Sequence, residues 1–458
     1  MKRRNFLKLS LLTGSAILAP ELIYASKLDL SRISFSSATY NNNRAQTLIV
    51  YLYGGPSQLA GNLTNLDEIR ALSKNDYNYF GTITKTANNL WKEAGGSEME
   101  ALIGNGDMTI FRTCYSQVRE ERNNKAHGLC TFQNQKGTFD ESAGGIITNI
   151  AQILDAQGQI DSDTLMPFVT MEGESKFYEE GHKALSGYLK PVGINETLSN
   201  PYKREGVRRS SYYTEEEKES APDTYSKSDD KGGFDPALTA KMDQLAQQYN
   251  RPGKIKDTFT KRGKLSNFIH TVSTATTPDL GEDAYPKNSN FAQRIETAIK
   301  LLIHNADTKI LTLGTGGLGG WDDHNEAKEY IQRMKDLFAA LKSAMAHLRA
   351  EGKDQTINIM VFAEFGRNVN LNSANGWDHG NLQNLYVLGG KGYFNHKGVV
   401  GETKIVGTGK ANRLFMRPKE GSYWFEPMSI AATLYKIYGI ENPEIMTDNY
   451  PEITPLFN

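Results

Sequence analysis

Apolar residues gather along the chain in short runs, separated by stretches rich in Gly, Pro and Asp, and the runs alternate between two spacings. Thr47 to Tyr53 (TLIVYLY) is a continuous apolar run bounded by Gly54, Gly55 and Pro56, the pattern of a buried strand that ends in a tight loop. Met108 to Thr113, Leu165 to Met171 and Lys309 to Leu313 read the same way, Ile357 to Ala363 (INIMVFA) most clearly of all, and Leu385 to Leu388 as a shorter piece. Between them the spacing turns helical. Ile146, Ile147, Ile150, Ile153 and Leu154 mark a helix within Gly145 to Leu154, and further helices are predicted over Asn290 to His304 and Asn325 to Arg349. A last helix runs from Pro427 to Tyr438, closed by Gly439.

Strands alternating with helices predict an α/β fold with a mostly parallel central sheet flanked by helices. The 458 residues would make roughly two or three domains on length alone, but one large α/β domain over about 45–458 fits the pattern better. Lys203 to Asp235 breaks it, with runs such as Arg208-Arg209 and Glu215-Glu216-Glu217 and few aliphatic residues. Such a segment buries too little surface to offset its ordering entropy, so it is expected to be a mobile, charged insertion. A solvated loop is the simpler expectation there than a lid.

The N-terminus changes where the protein is expected to work. Lys2-Arg3-Arg4-Asn5-Phe6-Leu7-Lys8 resembles a twin-arginine export signal, lacking only the usual Ser or Thr before the arginine pair. An apolar stretch from Leu9 to Ala19 follows, then a small-residue cleavage site at Ile23-Tyr24-Ala25, so residues 1–25 are expected to be removed. That stretch is about half the roughly 20 residues of a spanning helix, and no stable membrane insertion is expected. The expected location is periplasmic or secreted, with the twin-arginine translocase as partner during export. Lys and Arg number 52 against 53 Asp and Glu, which offers no reason to expect a nucleic-acid partner. The two cysteines, Cys114 and Cys130, would meet an oxidising compartment; a disulfide and two free thiols are both open.

Three Gly-rich segments at predicted strand ends carry the candidate chemistry: Gly319-Gly320-Trp321-Asp322-Asp323-His324, Glu364-Phe365-Gly366-Arg367 and Gly376-Trp377-Asp378-His379-Gly380. Sites in α/β sheets form at the carboxyl ends of strands. Asp, Glu and His supply oxygen and nitrogen donors suited to zinc, manganese or another divalent ion. Two of the eight histidines fall beside acids in such loops, whereas His304 and His347 sit within helical patterns, where packing or solvent exposure explains them. Arg367 could equally be a partner of a nearby acid, and Asp and Gly also favour turns on conformational grounds alone.

The order of TLIVYLYGGPSQ, GGWDDH, VFAEFGR, GWDHG and the closing IYGI resembles the family of domain of unknown function 1501, grouped with the alkaline phosphatase and sulfatase superfamily. The resemblance implies an alkaline-phosphatase-like fold with one or two divalent metal ions at strand ends. By motif, Asp322, His324 and His379 match ligands of one ion, Glu364 a ligand of a second, and Asp378 a ligand or orienting partner. Arg367 would face a substrate anion or fix Glu364. The chain also departs from the family pattern. Ser57 and Ala60 stand where many members carry an acid, and Ala126-His127-Gly128 replaces Ser-His-Phe, removing a hydroxyl. His127 remains as ligand or general base; Ser57 is either nucleophile or turn residue. The function expected is an exported metal-dependent hydrolase of phosphate or sulfate esters, with a small anionic ester or a polysaccharide as substrate. The alternative is a non-enzymatic envelope protein that keeps the fold to bind a partner.

Overall fold

A computed structural model describes residues 28–73, 76–173, 175–181, 185–194, scattered helical positions between 244 and 274, and residues 275–408 and 413–457. The export signal expected over 1–25 and the charged insertion expected over 203–235 lie outside the described residues.

Eight strands form one sheet: β1 (Gln46–Leu52), β2 (Met108–Tyr115), β3 (Phe168–Thr170), β4 (Val192–Gly193), β5 (Ile310–Leu313), β6 (Ile357–Ala363), β7 (Leu382–Gly389) and β8 (Gly398–Val400), in the order β4-β3-β5-β1-β6-β7-β2-β8. β1 runs parallel to both β5 and β6, and β3 parallel to β5 and β4. Among the described strands of this sheet only β7 is reversed, antiparallel to β6 and to β2. A small hairpin of β9 (Thr403–Thr408) and β10 (Arg413–Pro418) stands apart.

The sheet is covered on both faces, which is why its central strands read as unbroken apolar runs. Successive side chains alternate between faces. Leu48, Val50 and Leu52 of β1 and Ile359, Val361 and Ala363 of β6 enter one core, built with α1 (Gly96–Gly104), α5 (Asn290–His304) and α6 (Tyr330–Ala350). Ile49, Tyr51, Met360 and Phe362 enter the other, with α4 (Ile146–Ala156) and α7 (Met428–Ile437). Two further helices, α2 (Gln117–Glu121) and α3 (His127–Lys136), follow β2 and matter for the site.

The expected strands and helices are present with small shifts at their ends. The helix expected from Asn325 begins at Tyr330, after a 3-10 turn over Ala327–Glu329. The strand expected at Leu385 begins at Leu382, since its polar start is buried and bonded. The Gln383 side-chain oxygen accepts from the Ala363 N–H (2.8 Å), and the Asn384 amide donates to the Gln58 carbonyl (2.8 Å). No described helix is long and apolar enough to cross a membrane.

Candidate metal centre

With β7 the only reversed strand among those described, the ends of β1, β2, β5 and β6 and the start of β7 lie along one edge of the sheet. The loops that leave this edge carry all three Gly-rich segments and, through α2, the start of α3. Gly54, two residues past the end of β1, has φ +106°, and a Cβ there would lie 2.6 Å from the Asp322 nitrogen. Only glycine lets the Asp322 loop rest on the end of β1.

The tryptophans of the two Trp-Asp pairs pin their loops. Trp321 and Trp377 are fully buried. Trp377 stacks on Phe80 at 5.2 Å and meets Tyr330 edge-on at 5.2 Å, while Trp321 meets the same tyrosine at 6.1 Å. Removing such a ring costs on the order of 3–5 kcal/mol, so each loop is anchored one residue before its aspartate. The Trp377 N–H also donates to the Asp323 carbonyl (2.7 Å), tying one loop to the other.

Four side chains converge at this edge. One ligand atom each from His127, Asp322, His324 and His379 lies within 4.8 Å of all the others. Asp322 Oδ1 is 3.3 Å from Nε2 of His127, 3.3 Å from Nε2 of His324 and 4.0 Å from Nε2 of His379; the last two nitrogens are 2.8 Å apart. Ligands about 2.1 Å from a tetrahedral ion are separated by about 3.4 Å. The observed spacings bracket that value.

The other nitrogen of each ring decides what the convergent one can do. His127 Nδ1 faces the Glu364 carboxylate at 2.6 Å, His379 Nδ1 faces the Lys125 carbonyl at 2.7 Å, and His324 Nδ1 faces Asp378 Oδ1 at 3.5 Å. Carboxylates and carbonyls only accept, so in the neutral rings the hydrogen belongs on Nδ1 and the lone pair on Nε2. Three lone pairs and a carboxylate then point at one centre. The 2.8 Å between Nε2 of His324 and Nε2 of His379 is a hydrogen bond when His324 carries its proton there, and an ion at the centre would take that proton's place; His127 Nε2 is buried with no hydrogen bond. This donor set fits a divalent ion, and the Nδ1 partners are the outer contacts that hold metal-bound imidazoles.

Electrostatics push the same way. Burial, helped by Arg367 and the other two imidazoles, lowers the His379 pKa to about 4, so the ring is neutral near pH 7. Burial alone would raise the Asp322 carboxyl, but the hydrogen bond and charge of Arg367, with His127 and His324, outweigh it, and its pKa falls below the ordinary carboxylate value.

The remaining residues singled out in the sequence take other places. Glu364 sits against His127, and also accepts from the Gly54 N–H (2.7 Å) and from the Thr131 hydroxyl. Asp378 pairs with Arg413 at 2.9 Å. Arg367 is not a substrate-facing cation: its side chain is fully buried, bonded to the carbonyls of Gly55 (2.7 Å), Trp377 (3.0 Å), Trp321 (3.2 Å) and Gly54, and to Asp322 Oδ1 (2.7 Å). It fixes Asp322 and not Glu364. Ser57 is no exposed nucleophile either. It is buried at the start of a 3-10 turn, where its hydroxyl accepts from the Leu59 N–H and its carbonyl accepts from Tyr330. Cys114 and Cys130 are buried and unpaired, so the disulfide alternative falls away.

Sequence reasoning missed Thr131, Lys125 and Arg413. A His and a Thr four residues apart share one face of a helix, and that spacing in His127–Thr131 was the available signal. Lys125 acts through its backbone, which leaves no mark in the sequence, and Arg413 reaches the site from a hairpin whose short Leu414–Met416 run is not among the expected strands.

A family model described as protein of unknown function (DUF1501) matches residues 45–417. The chain belongs to that family. The matched span holds every residue of the candidate centre in this DUF1501 protein. Among curated proteins none matches. Several solved structures are similar at low identity. Phosphonate monoester hydrolase SpPMH from Silicibacter pomeroyi is 12% identical with a TM-score of 0.32, over 90% of this chain and 76% of that one. Alkaline phosphatase from the Antarctic bacterium TAB5 is 10% identical with a TM-score of 0.31, over 86% and 98%. Ps i-CgsB in complex with k-i-k-neocarrahexaose is 8% identical with a TM-score of 0.36, over 88% and 73%.

Proposed function

We propose that this DUF1501 protein is a hydrolase of phosphate or sulfate esters, exported by the twin-arginine route, whose work depends on a divalent ion, zinc or manganese, held by His127, Asp322, His324 and His379. One observation carries this reading. All three histidines present Nε2 to a common centre while Nδ1 faces an acceptor, with Asp322 Oδ1 completing the set. Such an ion polarises an ester oxygen and lowers the pKa of water. The chain's own residues hold the geometry. Glu364 keeps the proton of His127 on Nδ1, Lys125 does the same for His379, and Arg367 holds the Asp322 carboxylate in place. Arg413, exposed beside Asp378, is the cation placed to meet an anionic ester. Thr131 donates its hydroxyl to Glu364 and Ser57 is buried at the start of its 3-10 turn, so water is the attacking group in this reading.

A second reading rests on the donor count. Four protein donors complete a tetrahedral zinc shell, and closed shells are structural, whereas catalytic sites keep a position open. An octahedral ion such as manganese would leave positions free on the same donors. The closed-shell case corresponds to a non-enzymatic envelope protein that keeps the fold.

Elemental mass spectrometry of the purified protein, beside a His324→Ala/His379→Ala double variant, tests the centre. Near-stoichiometric metal lost in the variant, together with turnover of phosphate or sulfate esters by the wild type, is the expected result. Metal without turnover favours the second reading. No metal after reconstitution ends both metal readings.

A further inference from the structure

Beyond the metal centre, a groove of about 550 Å³ lies between the hairpin, α2 and the end of β2, lined among others by Tyr115, Gln117, Glu121, Lys404, Arg417 and Trp424. Trp424 is 40% exposed, one of two exposed large hydrophobic residues among those described. Its ring is held by Tyr115, edge-on at 5.8 Å, while the Tyr115 hydroxyl bonds to Glu120. An exposed, braced indole beside a concave polar wall is a stacking platform.

The charges around it say what kind of ligand suits it. Lys404 stands directly opposite Arg417 in the hairpin register, an arrangement of like charges that costs stability. Arg417 is in turn bonded to Glu120, its Nε makes no hydrogen bond, and Glu121 lies alongside. Two cations and two carboxylates balance, so the wall offers many donors and acceptors without a net field. That combination suits a ligand rich in hydroxyls with apolar ring faces, and does not suit an apolar protein surface.

We propose that this groove binds an oligosaccharide, one sugar ring stacking on Trp424. β10 links it to the metal centre. Leu414 and Met416 face the core, which turns Arg413, Phe415 and Arg417 outward. Along that outer face Arg413 pairs with Asp378 beside the centre, Phe415 lies under the Lys125 ammonium at 4.6 Å, and Arg417 opens onto the groove. Four residues of strand span roughly 13 Å, the reach of a short sugar chain. That the bound chain is the ester-bearing substrate rests on the hydrolase reading above; binding in the groove does not.

Immobilised neutral, uronic and sulfated polysaccharides are the probe, with the full-length protein applied after chelation. Wild type is expected to bind at least one of them. Trp424→Ala should weaken that binding roughly tenfold or more, Trp424→Phe should restore most of it, and both variants should match wild-type metal content before chelation. No binding by wild type to any of the three classes overturns the proposal, as does binding indifferent to Trp424→Ala. Capture of a protein partner through Trp424 in the absence of glycan binding overturns it too. Loss of metal in the His324→Ala/His379→Ala variant leaves this assay unchanged, so the two readings fail separately.

Discussion

The carboxylate of Glu364 lies 2.6 Å from Nδ1 of His127, on the side of the ring away from the three-histidine centre. The same carboxylate takes hydrogen bonds from the Gly54 N–H and the Thr131 hydroxyl, so all its directional bonds point into the protein. An ion held at the proposed centre would feel it through His127, whose ring and tautomer the carboxylate fixes.

Glu364→Gln should therefore weaken zinc binding by about 10- to 100-fold while leaving the fold intact. Competitive metal titration with a chromogenic chelator measures this. Abolished binding would instead make Glu364 a ligand in its own right, and unchanged binding would remove it from the site.

Arg367 tests a different link, from side chain to loop. Its guanidinium bonds four carbonyls and Asp322 while fully buried. Removing one member of such a buried set strands the others, at a cost of roughly 3–5 kcal/mol. Arg367→Met should lower the urea midpoint accordingly. Arg367→Lys should rescue little, since an ammonium lacks the planar fork. A lysine variant as stable as wild type would show that the carbonyls find other donors.

How far the sequence foretells this molecule depends on where polar groups are buried. β1 and β6 are legible because both faces of the sheet are covered and most positions are apolar, the buried Gln46, Thr47 and Asn358 excepted. The start of β7 and the whole of α3 are not. Gln133, Asn134, Gln135 and Lys136 of α3 are buried and polar, held by partners outside the helix such as Arg119 and, far away in sequence, Ala363. Within the site, Asp322, His324 and His379 stand beside glycines at strand ends and could be picked out. The join of His127 to Asp322 across 195 positions depends on the order of strands in the sheet, which local patterning does not carry.

The cysteines give a prediction independent of the metal. Burial, with the nearby Glu426, pushes the Cys114 thiol far up, and burial raises Cys130 as well. Thiolates are the reactive form. Native protein should be inert to a thiol reagent such as Ellman's reagent, and denatured protein should react at both cysteines whether or not it was reduced first. A requirement for reductant would mean a disulfide.

His347 sets an acid limit on stability. It is buried on α6, 3.2 Å from the Tyr285 hydroxyl, and burial lowers its pKa to about 4 from the usual 6.5. The neighbouring charges of Glu351, Lys300, Glu296 and His304 partly cancel. Between those two pH values the unfolded chain binds a proton that the folded chain refuses, so stability falls as pH drops. The contribution is full above about pH 6.5 and shrinks by up to roughly 3 kcal/mol on the way to pH 4. Carboxylates with lowered pKa also lose stability in acid, so the measurement is a difference. With chelator present to silence the metal centre, urea unfolding of wild type and His347→Gln is followed from pH 7 to pH 4. The two stabilities should converge as pH falls, wild type having lost more. Parallel curves would mean that His347 takes up its proton in the folded protein without strain.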